Sequence, residues 1–266
     1  MSTGLSERAR QFIHEHGTGA VRASFGMGDL GLMFPTLRRD PHLVAAMDPA
    51  FAALLTTVVE FERTYGGLTV PVVGGPLEGE IRLGLHGVDP VWRTSDGRLV
   101  YRGARHPTAQ CTLLLDMDGR FGTAWRDEFN VMLDSVELVL EQAAAWAALH
   151  GWSHSAIVTG AEVAEVVQAV GDLSLDGDAS GELSQWWSSD DFVAVSSYGL
   201  NGRGRDPASI HLVARATVQA RELRAALTHH GFTVSGYFAG PFARVPRLVR
   251  EGAAPGADAS PRREDR

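Results

Sequence analysis

Two carboxylates stand two residues apart at the end of an apolar run, in Leu113-Leu114-Leu115-Asp116-Met117-Asp118-Gly119-Arg120-Phe121. A pair at this spacing could serve phosphoryl transfer, one carboxylate attacking phosphorus while the other handles the leaving-group proton. The same residues also spell a hairpin: an apolar strand, an Asp-Gly reversal and a second strand. A turn needs no further group, whereas the chemistry needs a cation for the phosphoryl charge. The chain contains no lysine, all 24 basic residues being arginine. That removes a phosphate-cradling lysine, a Schiff base and any catalytic lysine.

The other reactive side chains do not converge. Gly26-Met27-Gly28-Asp29-Leu30-Gly31 fits the string G-x-G-x-x-G. A dinucleotide site needs a helix opening at those glycines, and with Pro35 close behind the segment reads as a glycine-rich turn. His14 and His16 lie about 200° apart on a helix. Gly151 interrupts the helical spacing between His150 and His154, and the adjacent His229 and His230 diverge, so no three-ligand metal set forms. The single cysteine, Cys111, adjoins an apolar run and reads as a buried, reduced thiol; it excludes an internal disulfide or a cysteine-based zinc site. No G-x-S-x-G nucleophile elbow occurs. The sequence predicts no catalytic residue, no metal and no cofactor.

Charge is more informative. The formal net charge is −8, and it is segregated. From Asp127 to Gly202 there is no arginine but there are thirteen carboxylates, among them Glu128, Glu182, Asp190 and Asp191. From Arg203 to Arg250 eight arginines face only Asp206 and Glu222. Such segregation bears on partners and steering rather than on fold. The acidic stretch is expected to repel nucleic acid and attract a basic protein surface; a solvated acidic face with no partner is the alternative. Arg203 and Arg205, on a chain of this net charge, read as a solvated loop rather than a phosphate site. Trp186-Trp187 sits beside Ser188-Ser189-Asp190-Asp191. Neighbours on an extended segment face opposite ways, so one ring enters the core and the other, Trp187, is a candidate interface anchor. The predicted contact set is Glu128, Glu182, Asp190 and Asp191 as charges with Trp187 as anchor.

These residues need elements to position them. A hydrophobic share of 44% with 21% charged residues is ordinary for a soluble globular chain. No apolar run approaches the roughly 20 residues of a membrane helix, and the first eight residues lack a signal-peptide core, so a cytoplasmic protein without membrane association is expected. Ser6 can cap a helix with Leu5, Ala9, Phe12 and Ile13 on one face, ending at Gly17. Residues 21–34 read as short strands and turns. Asp48-Pro49 starts a second helix whose apolar face is Phe51, Leu54, Leu55, Val58 and Tyr65, with Gly66 as its left-handed stop. Strands are expected over 68–73, 80–85, 98–101, 110–115 and 120–123, with Asp96-Gly97 and Asp118-Gly119 as tight turns. A third helix runs from about Asp134 to Leu149. Beyond it, Thr159-Gly160-Ala161-Glu162 reads as a capping box, 172–189 as a loop, 192–197 and 209–214 as strands, 217–231 as a helix and 232–238 as a strand. The prediction is an α+β chain: a domain over 1–152 with a mixed or antiparallel sheet, a smaller α+β domain over 155–250, and a disordered tail over 251–266.

Residues about 48–150, with helix, Phe61, Tyr65-Gly66-Gly67-Leu68, strands, the Asp118-Gly119 hairpin and a closing helix in that order, resemble the SUKH superfamily. Its bacterial members are mostly immunity proteins that neutralise toxins, many of them nucleases; its eukaryotic members are regulatory scaffolds. The resemblance implies protein binding without catalysis, with a toxin as partner, and the acidic stretch predicts that this partner is basic. A structural or regulatory interaction protein without a toxin partner is the alternative. The Asp116-x-Asp118-Gly119 form is also similar to that of the haloacid-dehalogenase phosphatases, which would make Asp116 the nucleophile, Asp118 the acid/base and Asp190-Asp191 a magnesium pair. That motif normally opens its fold; here 115 residues precede it, and Arg120 stands where threonine is usual.

Overall fold

The first helix begins where Ser6 can cap it. In the computed structural model, which describes residues 4–33, 48–74, 77–84, 91–106, 112–125, 128–197 and 209–235, the Ser6 hydroxyl accepts the Ala9 N–H at 3.2 Å and α1 runs Glu7–His16. Leu5, Ala9 and Phe12 are buried and Gly17 ends the helix, as the periodicity requires. Helix α2, Met27–Met33, replaces the strands and turns expected there. The Asp29 carboxylate accepts the Gly26 N–H at 2.8 Å and Leu30 is fully buried. Capping and burial together outweigh the helix penalty of the glycines. Helix α3, Pro49–Thr64, starts on Asp48, whose Oδ1 accepts the N–H groups of Ala50 and Phe51 at 3.0 and 3.2 Å.

The stop after α3 differs in one residue from expectation. Gly67, with φ 94°, takes the left-handed conformation, and Gly66 does not. Gly66 is required for a different reason: a Cβ there would run into the Glu62 carboxylate and lie 2.6 Å from the Glu62 carbonyl oxygen.

Seven strands follow: β1 (Thr69–Val72), β2 (Gly79–Leu83), β3 (Val91–Arg93), β4 (Leu99–Arg105), β5 (Thr112–Asp116), β6 (Phe121–Trp125) and β7 (Glu128–Leu133). They form one antiparallel sheet in the order β1-β2-β4-β5-β6-β7, with β3 paired to β4. Gly97 and Gly119, at φ 87° and 81°, make the two Asp-Gly reversals. One face of this sheet meets α1 and α3 in a core that includes Phe12, Leu54, Phe61, Tyr101 and Leu115.

Helix α4, Val136–Ala148, is capped by Ser135 rather than Asp134, the Ser135 hydroxyl accepting the Leu138 N–H at 3.2 Å. Almost every residue from Val136 to Trp146 is buried, because the helix lies between two layers. Val139, Leu140 and Ala143 belong to the first core, whereas Ala145, Trp146 and Leu149 pack with Ala179, Trp186, Val193, Val195 and Val213. Trp146 meets Trp186 edge to face at 5.0 Å, and Gly74 has no Cβ because one would lie 2.8 Å from the Trp146 ring.

The second sheet contains β8 (Ser153–Thr159), β9 (Ser174–Leu175), β10 (Gln185–Ser188), β11 (Phe192–Ser197), β12 (Ser209–Ala214) and β13 (Val234–Ser235), in the antiparallel order β13-β8-β12-β11-β10-β9. Helices α5 (Val163–Val170) and α6 (Thr217–His229) cover its other face through Val166, Leu223 and Leu227. The expected capping box does not form: Thr159 pairs with Ser209 as the last residue of β8, and α5 starts on Glu162 without a side-chain cap. The expected loop over 172–189 contains β9 and β10. The strand expected over 232–238 is described only as Val234–Ser235. Strands before residue 152 build the first sheet and strands after it the second, and α4 contributes to both cores. Helices and antiparallel sheets in one chain make the fold α+β. No helix among the described residues is long and apolar enough to cross a membrane. Cys111, Asp127, Arg203, Arg205 and the tail over 251–266 lie outside the described residues.

Candidate functional site

The paired carboxylates lie at the β5–β6 turn. Asp116 is 2% exposed. Its Oδ1 accepts the Asp118 and Arg120 N–H groups at 3.0 and 2.9 Å, and its Oδ2 meets Nε and Nη2 of Arg120 at 2.8 and 2.7 Å. Burial works against the Arg120 charge, but the bonds and charges of Asp116 and Asp118 outweigh it and raise the guanidinium pKa. Asp118 lies on the surface and pairs with the same arginine at 2.9 Å. β5 runs antiparallel to both β4 and β6, so Asp116 does not end a parallel strand. Both of its oxygens are held by donors of the turn itself. The glycine string likewise serves packing: α2 has seven residues, and the N–H of its leading Gly26 is already bonded to Asp29.

The helix-to-strand junction is built around a buried carboxylate. Glu62 is fully buried at the end of α3, where the Tyr101 hydroxyl donates to its Oε1 and Arg22 meets its Oε2 at 2.9 Å. Burial and the Glu62 charge push the Tyr101 phenol far up. Gly66 sits against Glu62, the Gly66 carbonyl accepts the Arg22 N–H at 3.0 Å, and the Gly67 N–H donates to Leu83 at 2.9 Å. Phe61, Tyr65 and Leu68 anchor the junction in the core. Every residue of the Phe61 and Tyr65-Gly66-Gly67-Leu68 motif therefore has a structural task.

Two of them also reach a cleft. Phe61 and Tyr65 line a concavity of about 250 Å³, joined by Thr57, Glu60 and Thr64 from α3, Gly119 from the β5–β6 turn and Glu137 from α4. Leu115 and Val136 complete its apolar wall. The Tyr65 hydroxyl donates to Glu137 at 2.7 Å. Burial first, then the Glu137 bond and charge and the charge of Glu141, raise the Tyr65 phenol well above its ordinary range. The Thr57 hydroxyl donates to the Met117 carbonyl at 2.9 Å, tying α3 to the hairpin, and Met117 itself is exposed. The cleft thus offers carboxylates over an aromatic and aliphatic wall, an arrangement suited to holding a cation. It is smaller than the roughly 300–1,000 Å³ of small-molecule and cofactor sites. A second cavity, walled by Val72, Leu77, Trp146 and Val195, measures only about 30 Å³.

The predicted contact residues fall on three separate segments. Glu128 opens β7; Glu182 is exposed between β9 and β10; Asp190 is exposed and Asp191 half-buried in the β10–β11 turn, where the Asp191 carbonyl accepts the Arg215 N–H at 2.8 Å. Trp187 is half-buried on the α5 and α6 side of the sheet, and Trp186 is buried on the α4 side. The two rings split as strand alternation requires, and each packs on a core.

Several other carboxylates of the acidic stretch join elements. Glu141 accepts from Ser6 N and Oγ at 2.5 and 2.6 Å, Asp176 from Arg8 at 2.6 Å, and Asp134 from the Leu183 N–H at 3.2 Å. Glu60, Thr57 and Glu137 were not singled out by sequence. Glu137 meets Tyr65 across 72 positions, and such a contact leaves no local pattern. Among the described residues no three His, Cys, Asp or Glu side chains are grouped to hold a metal. Compared with family models, curated proteins and solved structures, the chain matches none.

Proposed function

We propose that this chain is a SUKH-like, non-enzymatic binding protein of the immunity type, which neutralises a basic toxin by occupying its surface. The observation that carries the reading is convergence: Tyr65 of the junction after α3 and Gly119 of the Asp-Gly hairpin, separated by about fifty residues, line the same cleft with Glu60 and Glu137. The element order supports it too, with helix, junction, antiparallel strands, hairpin and closing helix following one another as the resemblance implies. An acidic binder suits a nuclease toxin, because an enzyme acting on a polyanion carries a basic surface that the binder can mimic. Glu128, Glu182, Asp190 and Asp191 supply outlying negative charge in this reading, and Trp187 contributes an apolar edge.

Co-purification from the native host, followed by co-expression with the captured protein, tests the proposal. The expected result is a basic partner that arrests growth alone and loses toxicity when this chain is present. A strongly acidic partner, or phosphatase turnover that vanishes in Asp116→Asn, would overturn it.

A further inference from the structure

We propose that the cleft between α3, the β5–β6 turn and the start of α4 receives one arginine side chain of a partner protein, with Glu60 and Glu137 taking the guanidinium above a floor formed by the edges of the largely buried Phe61 and Tyr65. The inference rests on the protein-binding reading and adds where the partner inserts and what it inserts.

Size, charge and chemistry agree on the occupant. About 250 Å³ is too little for a cofactor and ample for one side chain. The wall is apolar and aromatic through Phe61, Leu115 and Val136, while Glu60 and Glu137 make it negative. The nearest arginines on the lining elements are committed elsewhere. Arg63 donates to the Phe25 carbonyl at 2.5 Å, and Arg120 is held by Asp116 and Asp118 at 2.7 and 2.9 Å. Among the described residues, then, the arginines of α3 and of the β5–β6 turn are engaged away from the cleft, and an incoming guanidinium would supply the complementary charge. The Tyr65 phenol is raised by burial first and then by the bond and charge of Glu137 and the charge of Glu141.

A guanidinium fits better than an ammonium. It is planar and weakly hydrated, so it can rest on an apolar floor while its edge bonds a carboxylate. An ammonium is compact and strongly hydrated, and loses more on entering an apolar wall. Met117 at the hairpin tip, 42% exposed, offers a soft apolar contact to the chain that carries the arginine.

The test uses the isotope-labelled full chain and three probes: ethylguanidinium, ethylammonium and neutral ethylurea. Saturable amide shifts confined to Thr64, Tyr65, Gly119 and Glu137 are expected with ethylguanidinium. They should be at least threefold weaker with ethylammonium and absent with ethylurea. Glu60 is exposed on α3, so Glu60→Arg should abolish the response and Glu60→Gln reduce it at least threefold, the remaining spectrum serving as the check on folding. Non-saturating shifts spread over Glu182, Asp190 and Asp191, or a response indifferent to Glu60→Arg, overturn the assignment. Because these probes need no partner, their failure bears on the cleft alone. A captured toxin that Glu60→Arg still neutralises at wild-type affinity would likewise remove the cleft and leave the protein-binding reading standing.

Discussion

Asp116 gives each carboxylate oxygen two donors, all from the turn it belongs to, and is itself almost inaccessible. Replacing it by asparagine keeps one oxygen for the Asp118 and Arg120 N–H groups but withdraws the charge that holds the Arg120 guanidinium. A hydrogen bond to a charged group is worth about 1.5–3 kcal/mol, so Asp116→Asn should lower stability by about 1–3 kcal/mol in urea unfolding. Asp118, on the surface and paired with the same arginine, should cost no more than about 1 kcal/mol as Asp118→Asn. Equal costs would mean that Asp116 does not organise the turn. The turn was legible in the sequence because Asp-Gly constrains its own backbone. The four-donor cage around Asp116 was not, since motif spelling gives the same letters to a nucleophile and to a turn carboxylate. Gly66 teaches the same lesson: its need for glycine comes from contact with Glu62 one helical turn earlier, while the positive φ belongs to Gly67.

Among the elements, α1 is tied to the rest by a polar chain. Ser6 bonds Glu141 on α4, and Arg8 bonds Asp176, next to β9 in the second sheet. Burial pushes the Asp176 carboxyl up, yet the Arg8 bond, the Ala179 N–H and the Arg8 charge outweigh it and hold the group below its ordinary value. A carboxyl depressed by folding stabilises the native state above its unfolded pKa of about 3.9, and that stabilisation fades as pH falls through the folded value. Wild type should therefore lose stability from about pH 4 downward more steeply than Asp176→Asn, which starts lower at neutral pH. Thermal unfolding of both proteins between pH 7 and pH 2.5 measures the difference; parallel curves would exclude the Arg8–Asp176 contact from the acid limb. Elements with their own punctuation were readable: α1 from Ser6, α3 from Asp48-Pro49, and the β3–β4 and β5–β6 reversals from Asp-Gly. Helix α2, β8 and β10 were not, because their stability comes from partners far along the chain. Leu30 is buried by tertiary packing, Thr159 is fixed by Ser209, and Trp186 is fixed by Trp146. The α4 helix shows the cost of that blindness, since its apolar length was clear but its membership of two cores was not.

For the whole molecule, the excess of negative charge divides into two populations. Glu62, Glu141 and Asp176 bind other elements, Asp116 holds its own turn, and none can leave without loosening the fold. Asp190 and its neighbour Asp191 stand at a turn where only their main-chain carbonyls bond Arg215, so their charge can act outward. Charges of this kind raise the rate of encounter with an oppositely charged partner, whereas fitted contacts set how long the complex lasts. Changing both to arginine shifts the net charge by +4, from −8 to −4. Since steering contributes about tenfold or more to association, the double variant should associate with a basic partner up to about tenfold more slowly at low salt. The gap should close near 1 M salt, where the screening length falls to about 3 Å. Dissociation should hardly change, and the unfolding midpoint should stay at the wild-type value because no side-chain bond among the described residues is lost. Stopped-flow association across a salt series, with dissociation followed separately by competition, resolves the two rates. A dissociation rate that rises with the reversal would move this turn from steering into the contact surface, and an association rate that does not change would take it out of recognition altogether.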